Sequence, residues 1–384
     1  MLRVLDAGES HGKALVAIIE GFPAGLKIDI DYINRNLQLR QSGYGRGGRQ
    51  KIEKDRVEIL TGVRFSETLG SPITMLIKNR DFVNWKDIMS VDGDKTAQKR
   101  VSSPRPGHAD LAGYIKYDRS DMRDVLERSS ARQTAIRVAV GSLCEYALRE
   151  LGVRIVSYVR SIGTVKANRI PSNWDDLESK ILSSPVFCPD EDATYSMIAE
   201  IEKAKLAGDS LGGCVEVKAK GVVVGIGTYV SWDRRLDARL AMALMSIQAV
   251  KAVEIGDGFE NAYRRGTEVH DEIFYDESGY FRKTNRAGGI EGGMSNGEDI
   301  IARAYMKPIP TLVAGLSSVD IDSKKPKRAA FERSDVCATP ALSVVAKAAV
   351  AYELFNGYLE KFGSDTFEEL SDRVKRYKEY VKTK

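Results

Sequence analysis

The layering of the fold is clearest in the stretch Thr339-Pro340-Ala341-Leu342-Ser343-Val344-Val345-Ala346-Lys347-Ala348-Ala349. Threonine followed by proline predicts a helix start, with Thr339 as the N-cap and Pro340 at the first helical position. The helix that follows is rich in alanine and apolar on more than one side. Such helices are usually buried between layers of secondary structure. The stretch therefore predicts a long helix inside a layered fold.

Two further helices share this alanine-rich character. The first is expected to start at Ser130, because Ser130 and Gln133 have capping-box spacing. Its apolar stripe consists of Ala135, Val138, Ala139, Leu143, Tyr146 and Ala147. The second is expected over residues 236–253. The charged stretch 367–384 predicts a solvated terminal helix instead.

Alternation of apolar and polar residues predicts several strands. The clearest is 214–220, in which Val215, Val217 and Ala219 share one side and Glu216 lies on the other. The first residues of the chain are expected to form the first strand. Further candidates are 57–63, 73–77 and 312–316.

Composition and charge argue against several classes of protein. The 384 residues carry 58 basic and 54 acidic side chains, so the basic footprint of most nucleic-acid-binding proteins is absent. No apolar run approaches the roughly 18 residues of a membrane span, and the N-terminus has no secretory signal. The four cysteines lie far apart, which argues against a zinc site or disulfides and fits a reducing compartment. We expect a cytoplasmic protein without metal, membrane or nucleic-acid partner. We also expect one domain over 1–384, with a charged helical tail from about residue 362.

Two of the three histidines lie in glycine-flanked loops. His11 lies in Gly8-Glu9-Ser10-His11-Gly12, and His108 lies in Arg105-Pro106-Gly107-His108-Ala109-Asp110. Glycine lets a backbone approach a ligand closely, and histidine exchanges protons near neutral pH. A lone loop histidine more often satisfies a local hydrogen bond, but the pair favours a function. His270 lacks this setting and is expected to be structural.

The loop Arg40-Gln41-Ser42-Gly43-Tyr44-Gly45-Arg46-Gly47-Gly48-Arg49 suits a multiply charged anion, because each guanidinium can bind a carboxylate or phosphate in a fork. Its glycines formally match G-x-G-x-x-G, but no hydrophobic strand precedes them, which argues against a Rossmann turn. A short arginine-glycine RNA-binding tract is a third interpretation.

Three more segments are candidates for ligand contact. Arg128-Ser129-Ser130-Ala131-Arg132 lies at a predicted helix start, which favours phosphate, although solvated arginines are an equal alternative. Lys307-Pro308-Ile309-Pro310-Thr311 presents a cation and a hydroxyl on a stiff loop, near the glycine-rich stretch 288–297. In Arg333-Ser334-Asp335, the neighbouring arginine favours an ionised Asp335 that could act as a base. An ordinary ion pair is the plainer interpretation.

Taken together and in this order, the segments resemble the chorismate synthase family over roughly residues 1–360. The resemblance implies an α+β fold, a β-α-β sandwich with long central helices between antiparallel sheets, and a homotetramer. It also implies an anti-1,4-elimination that removes the 3-phosphate and a carbon-6 hydrogen from 5-enolpyruvylshikimate-3-phosphate. That reaction requires reduced FMN, without net redox change, and gives chorismate.

The resemblance also implies site residues. His108 would protonate the departing phosphate, His11 would lie near flavin N1, and Asp335 would help to remove the carbon-6 proton. The expected substrate contacts are Arg40, Arg46, Arg49, Arg105, Arg132 and Arg333. The expected FMN contacts are Arg128, Ser129, Ser130, Gln248, Ala249, Gly292, Lys307, Pro308, Ile309, Pro310, Thr311 and Arg333.

Some members of this family reduce FMN with NADPH themselves. Since the chain has no recognisable Rossmann segment, we expect FMN to be reduced elsewhere. A flavin-free phosphatase or phosphotransferase and an RNA-binding module remain the competing functions for the same arginines.

Overall fold

The computed structural model describes residues 1–47, 52–93, 98–277, 279–332 and 334–384. The helices are α1 (Ile30–Gln41), α2 (Asp110–Lys116), α3 (Arg123–Ser129), α4 (Thr134–Glu150), α5 (Trp174–Ser183), α6 (Glu191–Leu206), α7 (Leu236–Met245), α8 (Gly258–Asn261), α9 (Gly266–Val269), α10 (Thr339–Phe362) and α11 (Phe367–Lys382). Short 3-10 helices span Arg80–Asn84, Ala131–Gln133 and Trp232–Arg234.

The strands form two larger antiparallel sheets and four two-stranded ribbons. They are β1 (Arg3–Ala7), β2 (Ala14–Glu20), β3 (Val57–Thr61), β4 (Val63–Arg64), β5 (Glu67–Thr68), β6 (Ile73–Lys78), β7 (Arg154–Ile162), β8 (Val165–Lys166), β9 (Gly213–Lys220), β10 (Val250–Ile255), β11 (Ile273–Asp276), β12 (Gly279–Arg282), β13 (Ile290–Glu291), β14 (Met294–Ser295), β15 (Ile300–Met306), β16 (Ser317–Val319) and β17 (Pro326–Arg328). One sheet has the order β1-β2-β6-β3 and the other β10-β15-β9-β7-β8.

Long helices fill the space between the two sheets. Helix α4 packs on β2 and β6 of the first sheet, α10 packs on β7 and β9 of the second, and the two helices pack on each other. Most side chains of α10 are buried, from Thr339 to Leu359. The α+β sandwich with central helices is therefore confirmed.

The predicted helix starts need two corrections. The N-cap of α10 is Ala338, so Thr339 is the first helical residue and Pro340 the second. The Thr339 hydroxyl is buried and accepts a hydrogen bond from the Cys337 thiol, so it is not turned to the helix end. Ser130 does cap, but it caps the 3-10 turn Ala131–Gln133, and α4 begins only at Thr134.

Two predicted bounds are wrong. The helix expected over 236–253 ends at Met245, and β10 begins at Val250 after Ala249 adopts a positive φ of 69°. No strand forms over 312–316, where Val313 is largely exposed. The strands expected at the N-terminus and within 57–63, 73–77 and 214–220 are confirmed, as is the terminal helix. Among the residues that the structure describes, no helix has both the length and the apolar character needed to cross a membrane.

Candidate active site

A cavity of about 1130 Å³ opens where α4 and α10 begin. The loops that carry Arg46, His108 and Lys307 also line it. Ligand pockets usually have volumes of about 300–1,000 Å³, so this cavity is slightly larger than most. Its lining includes most of the residues predicted from sequence, namely Arg40, Arg46, Arg105, His108, Arg128, Ser129, Ser130, Arg132, Gln248, Ala249, Lys307, Ile309, Pro310, Thr311 and Asp335.

One end of the cavity is held by buried arginines and a carboxylate. Arg132 Nη1 lies 2.7 Å from the Asp55 carboxylate, and Arg132 Nε donates to Asn79. Arg40 Nε donates to Thr134 Oγ1 at 2.9 Å, and its Nη1 lies 3.5 Å from Asp55. Burial lowers the pKa of Arg40 to about 9, partly opposed by Asp55. Arg40 therefore keeps its charge at neutral pH.

Arg46 and Asp335 form an ion pair at the same end. Arg46 Nη1 lies 2.6 Å from Asp335 Oδ2, while the backbone N–H of Gly47 donates to Asp335 Oδ1. Arg46 Nε and Arg132 Nη2 are buried without a hydrogen-bond partner among the described residues. Buried donors without a hydrogen-bond partner are the groups that gain most binding free energy from an anionic ligand.

The other end of the cavity contains His108. Its Nδ1 lies 2.6 Å from Asp110 Oδ1, and Arg105 Nε lies 2.8 Å from Asp110 Oδ2. Arg105 Nη1 also donates to Thr311 at 3.2 Å. The Asp110 carboxylate therefore fixes both the imidazole and the guanidinium.

The loop that carries Lys307 contacts the loop that carries His108. Lys307 Nζ donates to the carbonyl of Gly107 at 2.6 Å. Gly107 has a φ of +77°, a conformation that glycine adopts at little cost, and this turn presents its carbonyl to Lys307. Burial, helped by Lys251, lowers the pKa of Lys307.

The side wall combines the ends of three elements. Ser129 ends α3, Ser130 caps the following 3-10 turn, and Arg128 donates to the backbone carbonyls of Asp6 and Gly8. Opposite them, Gln248 Nε2 donates to Gln133, whereas Gln248 Oε1 is buried with no hydrogen-bond partner in the described part of the chain.

His11 lies outside this lining, in a neighbouring cavity of about 590 Å³. Its imidazole stacks on Trp85 with ring centroids 3.7 Å apart, and Nδ1 lies 2.8 Å from Glu127 Oε1. The basic side chains around this cavity are Lys99, Arg100, Arg123, Lys327 and Arg328. Ser10 Oγ, one residue away, lies 3.1 Å from Ser130 Oγ in the large cavity. Glu332 lines both cavities, so the two cavities are neighbours.

Two of the predicted site residues that the structure describes, Gly292 and Pro308, line neither cavity. Gly292 lies in the turn between β13 and β14, and Pro308 lies between two lining residues without lining the cavity itself. Arg49 and Arg333 lie outside the described residues.

Sequence reasoning gave no role to the carboxylates that organise the site. Asp110 stands two residues after His108, so its partnership could have been found from spacing. Glu127 and Asp55 are far in sequence from the side chains that they bind, His11 and Arg132. No local pattern indicates those pairs.

Comparisons with known proteins agree with this geometry. The sequence profile described as Chorismate synthase matches residues 2–359. The chain is 56% identical over 379 residues to chorismate synthase of Caldicellulosiruptor bescii, covering 98% of this chain and 99% of the relative. It is 54% identical over 391 residues to chorismate synthase of Geobacter sulfurreducens, covering 100% of both.

The chain belongs to the chorismate synthase family. A solved structure titled Crystal Structure of Chorismate Synthase has a TM-score of 0.81 and 42% identity, and the match covers 100% of this chain and 99% of that one. As a chorismate synthase family member, the chain is an enzyme, a lyase of aromatic amino-acid biosynthesis that acts on a small molecule. This assignment decides against the flavin-free phosphatase and RNA-binding interpretations of the arginine-rich loop.

Proposed function

We propose that the large cavity binds reduced FMN and 5-enolpyruvylshikimate-3-phosphate together and releases chorismate and phosphate. The observation that carries this proposal is the gathering of six arginines, His108, Asp335 and the Lys307–Thr311 loop around one cavity of about 1130 Å³. That much positive charge suits ligands with several anionic groups.

The substrate belongs at the arginine end, with Arg105 facing it from the histidine loop. Its two carboxylates and phosphate suit Arg40, Arg46, Arg105 and Arg132, because guanidinium groups bind such anions in a fork. The buried Arg46 Nε has no hydrogen-bond partner in the described residues, and Arg132 Nη2 has only an ion pair with Glu53 at 3.6 Å, so both would gain a hydrogen bond from the substrate. Arg49 and Arg333 stay proposed contacts on the strength of the resemblance alone.

The residues along the side wall and the Lys307 loop fit FMN. Ser129, Ser130, Arg128 and Lys307 are donors or cations suited to a phosphate, and the buried Gln248 Oε1 can accept a hydrogen bond that the described chain leaves unfilled. The positive φ of Ala249 shapes the neighbouring wall. Bound reduced FMN would supply the electron density that helps carbon–oxygen cleavage and take it back afterwards.

Asp335 is placed to accept the carbon-6 proton once it is released from Arg46. The 2.6 Å ion pair with Arg46 Nη1 occupies Asp335 Oδ2. A substrate carboxylate competes for the same guanidinium, so substrate binding frees the base at the moment when it is needed. The arginine would therefore bind the substrate and release Asp335 in the same step.

The two histidines have separate roles in the remaining proton transfers. We assign His108 to the flavin, because it shares the cavity with Lys307 and Thr311. We assign His11 to the departing phosphate, because five basic side chains surround its small cavity and suit an anion. This division reverses the one that the resemblance implied.

Anaerobic turnover with dithionite-reduced FMN tests the function and the division together. We expect chorismate only with reduced flavin. We expect His11→Ala to lower turnover by about 100-fold or more, with the absorbance of bound reduced flavin unchanged. His108→Ala should change that absorbance as well as turnover. His270→Ala is the matched control and should do neither.

Two other results would contradict the proposal. A folded wild-type protein that forms no chorismate would refute the function. A flavin spectrum altered by His11→Ala, and unaltered by His108→Ala, would restore the original division of roles.

We also infer a cytoplasmic homotetramer that receives FMN reduced by another protein. Three exposed apolar residues close together in sequence, Tyr229, Val230 and Trp232, support an interface. Oxidation of NADPH by the pure chain in the presence of FMN would refute the external source of reduced flavin.

A further inference from the structure

The loop that carries His11 is fastened to the end of α3 by Glu127. The backbone N–H of Ser10 donates to the carbonyl of Glu127 at 2.8 Å. The backbone N–H of His11 donates to Glu127 Oε2, also at 2.8 Å. His11 Nδ1 lies 2.8 Å from Oε1 and 3.0 Å from Oε2 of the same carboxylate. One side chain thus holds both the backbone and the imidazole of His11.

This carboxylate is deeply buried and stays charged. The Glu127 side chain is 2% exposed. Burial alone would raise its pKa, but the hydrogen bonds from the His11 imidazole and backbone outweigh burial and lower it. A buried anion in contact with Nδ1 directs a proton to that nitrogen, so that Nε2 is the nitrogen available to a reactant.

The other charged side chains around the small cavity that His11 lines are Lys99, Arg100, Arg123, Lys327, Arg328 and Glu332 among the described residues. Arg123 Nη1 lies 3.5 Å from Glu127, and Arg123 Nη2 lies 2.7 Å from Glu332. Lys99 Nζ lies 3.5 Å from the centroid of the Trp85 ring on which His11 stacks. Glu127 is the carboxylate that contacts the His11 imidazole directly in this basic surrounding.

We propose that Glu127 is a positioning residue for the elimination, one that orients His11 and supplies the negative charge beside Nδ1, so that Nε2 can deliver a proton to the departing phosphate. This inference rests on the proposed function, in which His11 serves the phosphate. Glu127 itself touches neither substrate nor cofactor. Its effect on the reaction passes through the imidazole.

The pH profile of kcat separates this role from a purely structural one. Glu127→Gln keeps an acceptor for the His11 backbone but removes the charge. We expect kcat to fall by about tenfold to a hundredfold, a part of what a general acid contributes, with KM changed by less than about threefold. The alkaline limb of the profile should move to lower pH, because His11 then loses its proton more readily. Binding of reduced FMN, followed by absorbance, should not change.

Two more variants keep the test decisive. Glu9→Gln removes a carboxylate from the same loop, at an exposed position, and should leave the alkaline limb where it is in the wild type. Glu127→Asp keeps the charge and should also keep the wild-type limb, with a smaller loss of kcat. If Glu127→Gln does not fold, this aspartate variant carries the test alone.

The outcomes distinguish the inference from the function on which it rests. Wild-type turnover together with an unshifted limb in Glu127→Gln, or a shifted limb in Glu127→Asp, would overturn the inference and leave the function standing. Absence of chorismate with the folded wild type would remove both.

Discussion

At the scale of single residues, Asp110 holds two site residues in place, a role that the sequence did not predict. Its buried carboxylate accepts hydrogen bonds from the backbone N–H, Nε and Nη2 of Arg105 and from His108 Nδ1. Burial alone would raise the pKa of Asp110, but the hydrogen bonds from His108 and Arg105 hold it well below its ordinary value. The ionised form is therefore more stable in the folded chain than in the unfolded chain.

Asp110→Asn should destabilise the protein in a pH-dependent way. A depressed pKa adds stability that is present above the unfolded pKa of about 4 and is lost as pH falls through the folded pKa. We expect the variant to lose about 1–3 kcal/mol of unfolding free energy at pH 7, and the gap to the wild type to narrow below about pH 4. Denaturant unfolding at several pH values measures this.

Asp192→Asn is the matched control for that experiment. Asp192 lies 2.9 Å from Arg169, but both side chains are largely exposed, so their ion pair contributes little. A pH-independent loss in Asp110→Asn, or an equal loss in the control, would show that the buried charge is not the source of the stability.

At the scale of elements, α4 and α10 come together closely at Gly141. A Cβ atom placed on Gly141 would overlap the carbonyl oxygen and the side chain of Ala348. The contact lies in the central layer, between the two sheets. Glycine at this position therefore sets the distance between the helices that begin at the cavity.

Gly141→Ala should destabilise the protein, although helix propensity alone predicts a gain of about 1 kcal/mol. Overpacking of a tight core costs about 1–3 kcal/mol, and the overlap here is with backbone that cannot turn aside. Ser179→Ala, at an exposed position of α5, is the control and should be neutral or slightly stabilising. A higher unfolding midpoint for Gly141→Ala than for the wild type would show that the helices have room to separate.

Helix and strand periodicity predicted the layers but not the points where one element passes into another. The apolar pattern over 236–253 continues across Ala249, so it could not indicate that α7 ends and β10 begins there. The positive φ of Ala249 is imposed by neighbouring structure, since alanine has no local preference for it. Residues 312–316 form a short apolar run that is typical of a strand, yet they find no partner strand, and pairing is a tertiary property.

The same limit applies to the site. The motifs around His108, Arg128 and Lys307 are local and predicted the residues of the large cavity. The partners of His11 and Arg132 come from other segments, Glu127 and Asp55. Only the fold brings them together, because neither carboxylate has a spacing that distinguishes it in the sequence.

At the scale of the whole molecule, exposed apolar residues are candidates for the interface of the proposed homotetramer. Tyr229, Val230 and Trp232 are exposed by 72%, 75% and 83% and lie within four residues of one another in sequence. Large apolar side chains grouped in this way on a surface usually mark an interface. They support the proposed homotetramer, in which a partner would cover them.

Trp232→Ser should therefore weaken assembly without unfolding the subunit. Burial of a large apolar side chain contributes about 1.5–3 kcal/mol, so its loss should raise the dissociation constant by at least about tenfold. Sedimentation velocity over a range of protein concentrations would show smaller species appearing at higher concentrations than for the wild type. Leu206→Ser is the control, since Leu206 is 88% exposed at the end of α6, in another part of the chain. Identical sedimentation of Trp232→Ser and the wild type would place the interface elsewhere, and a shift in both variants would point to a general loss of solubility or fold.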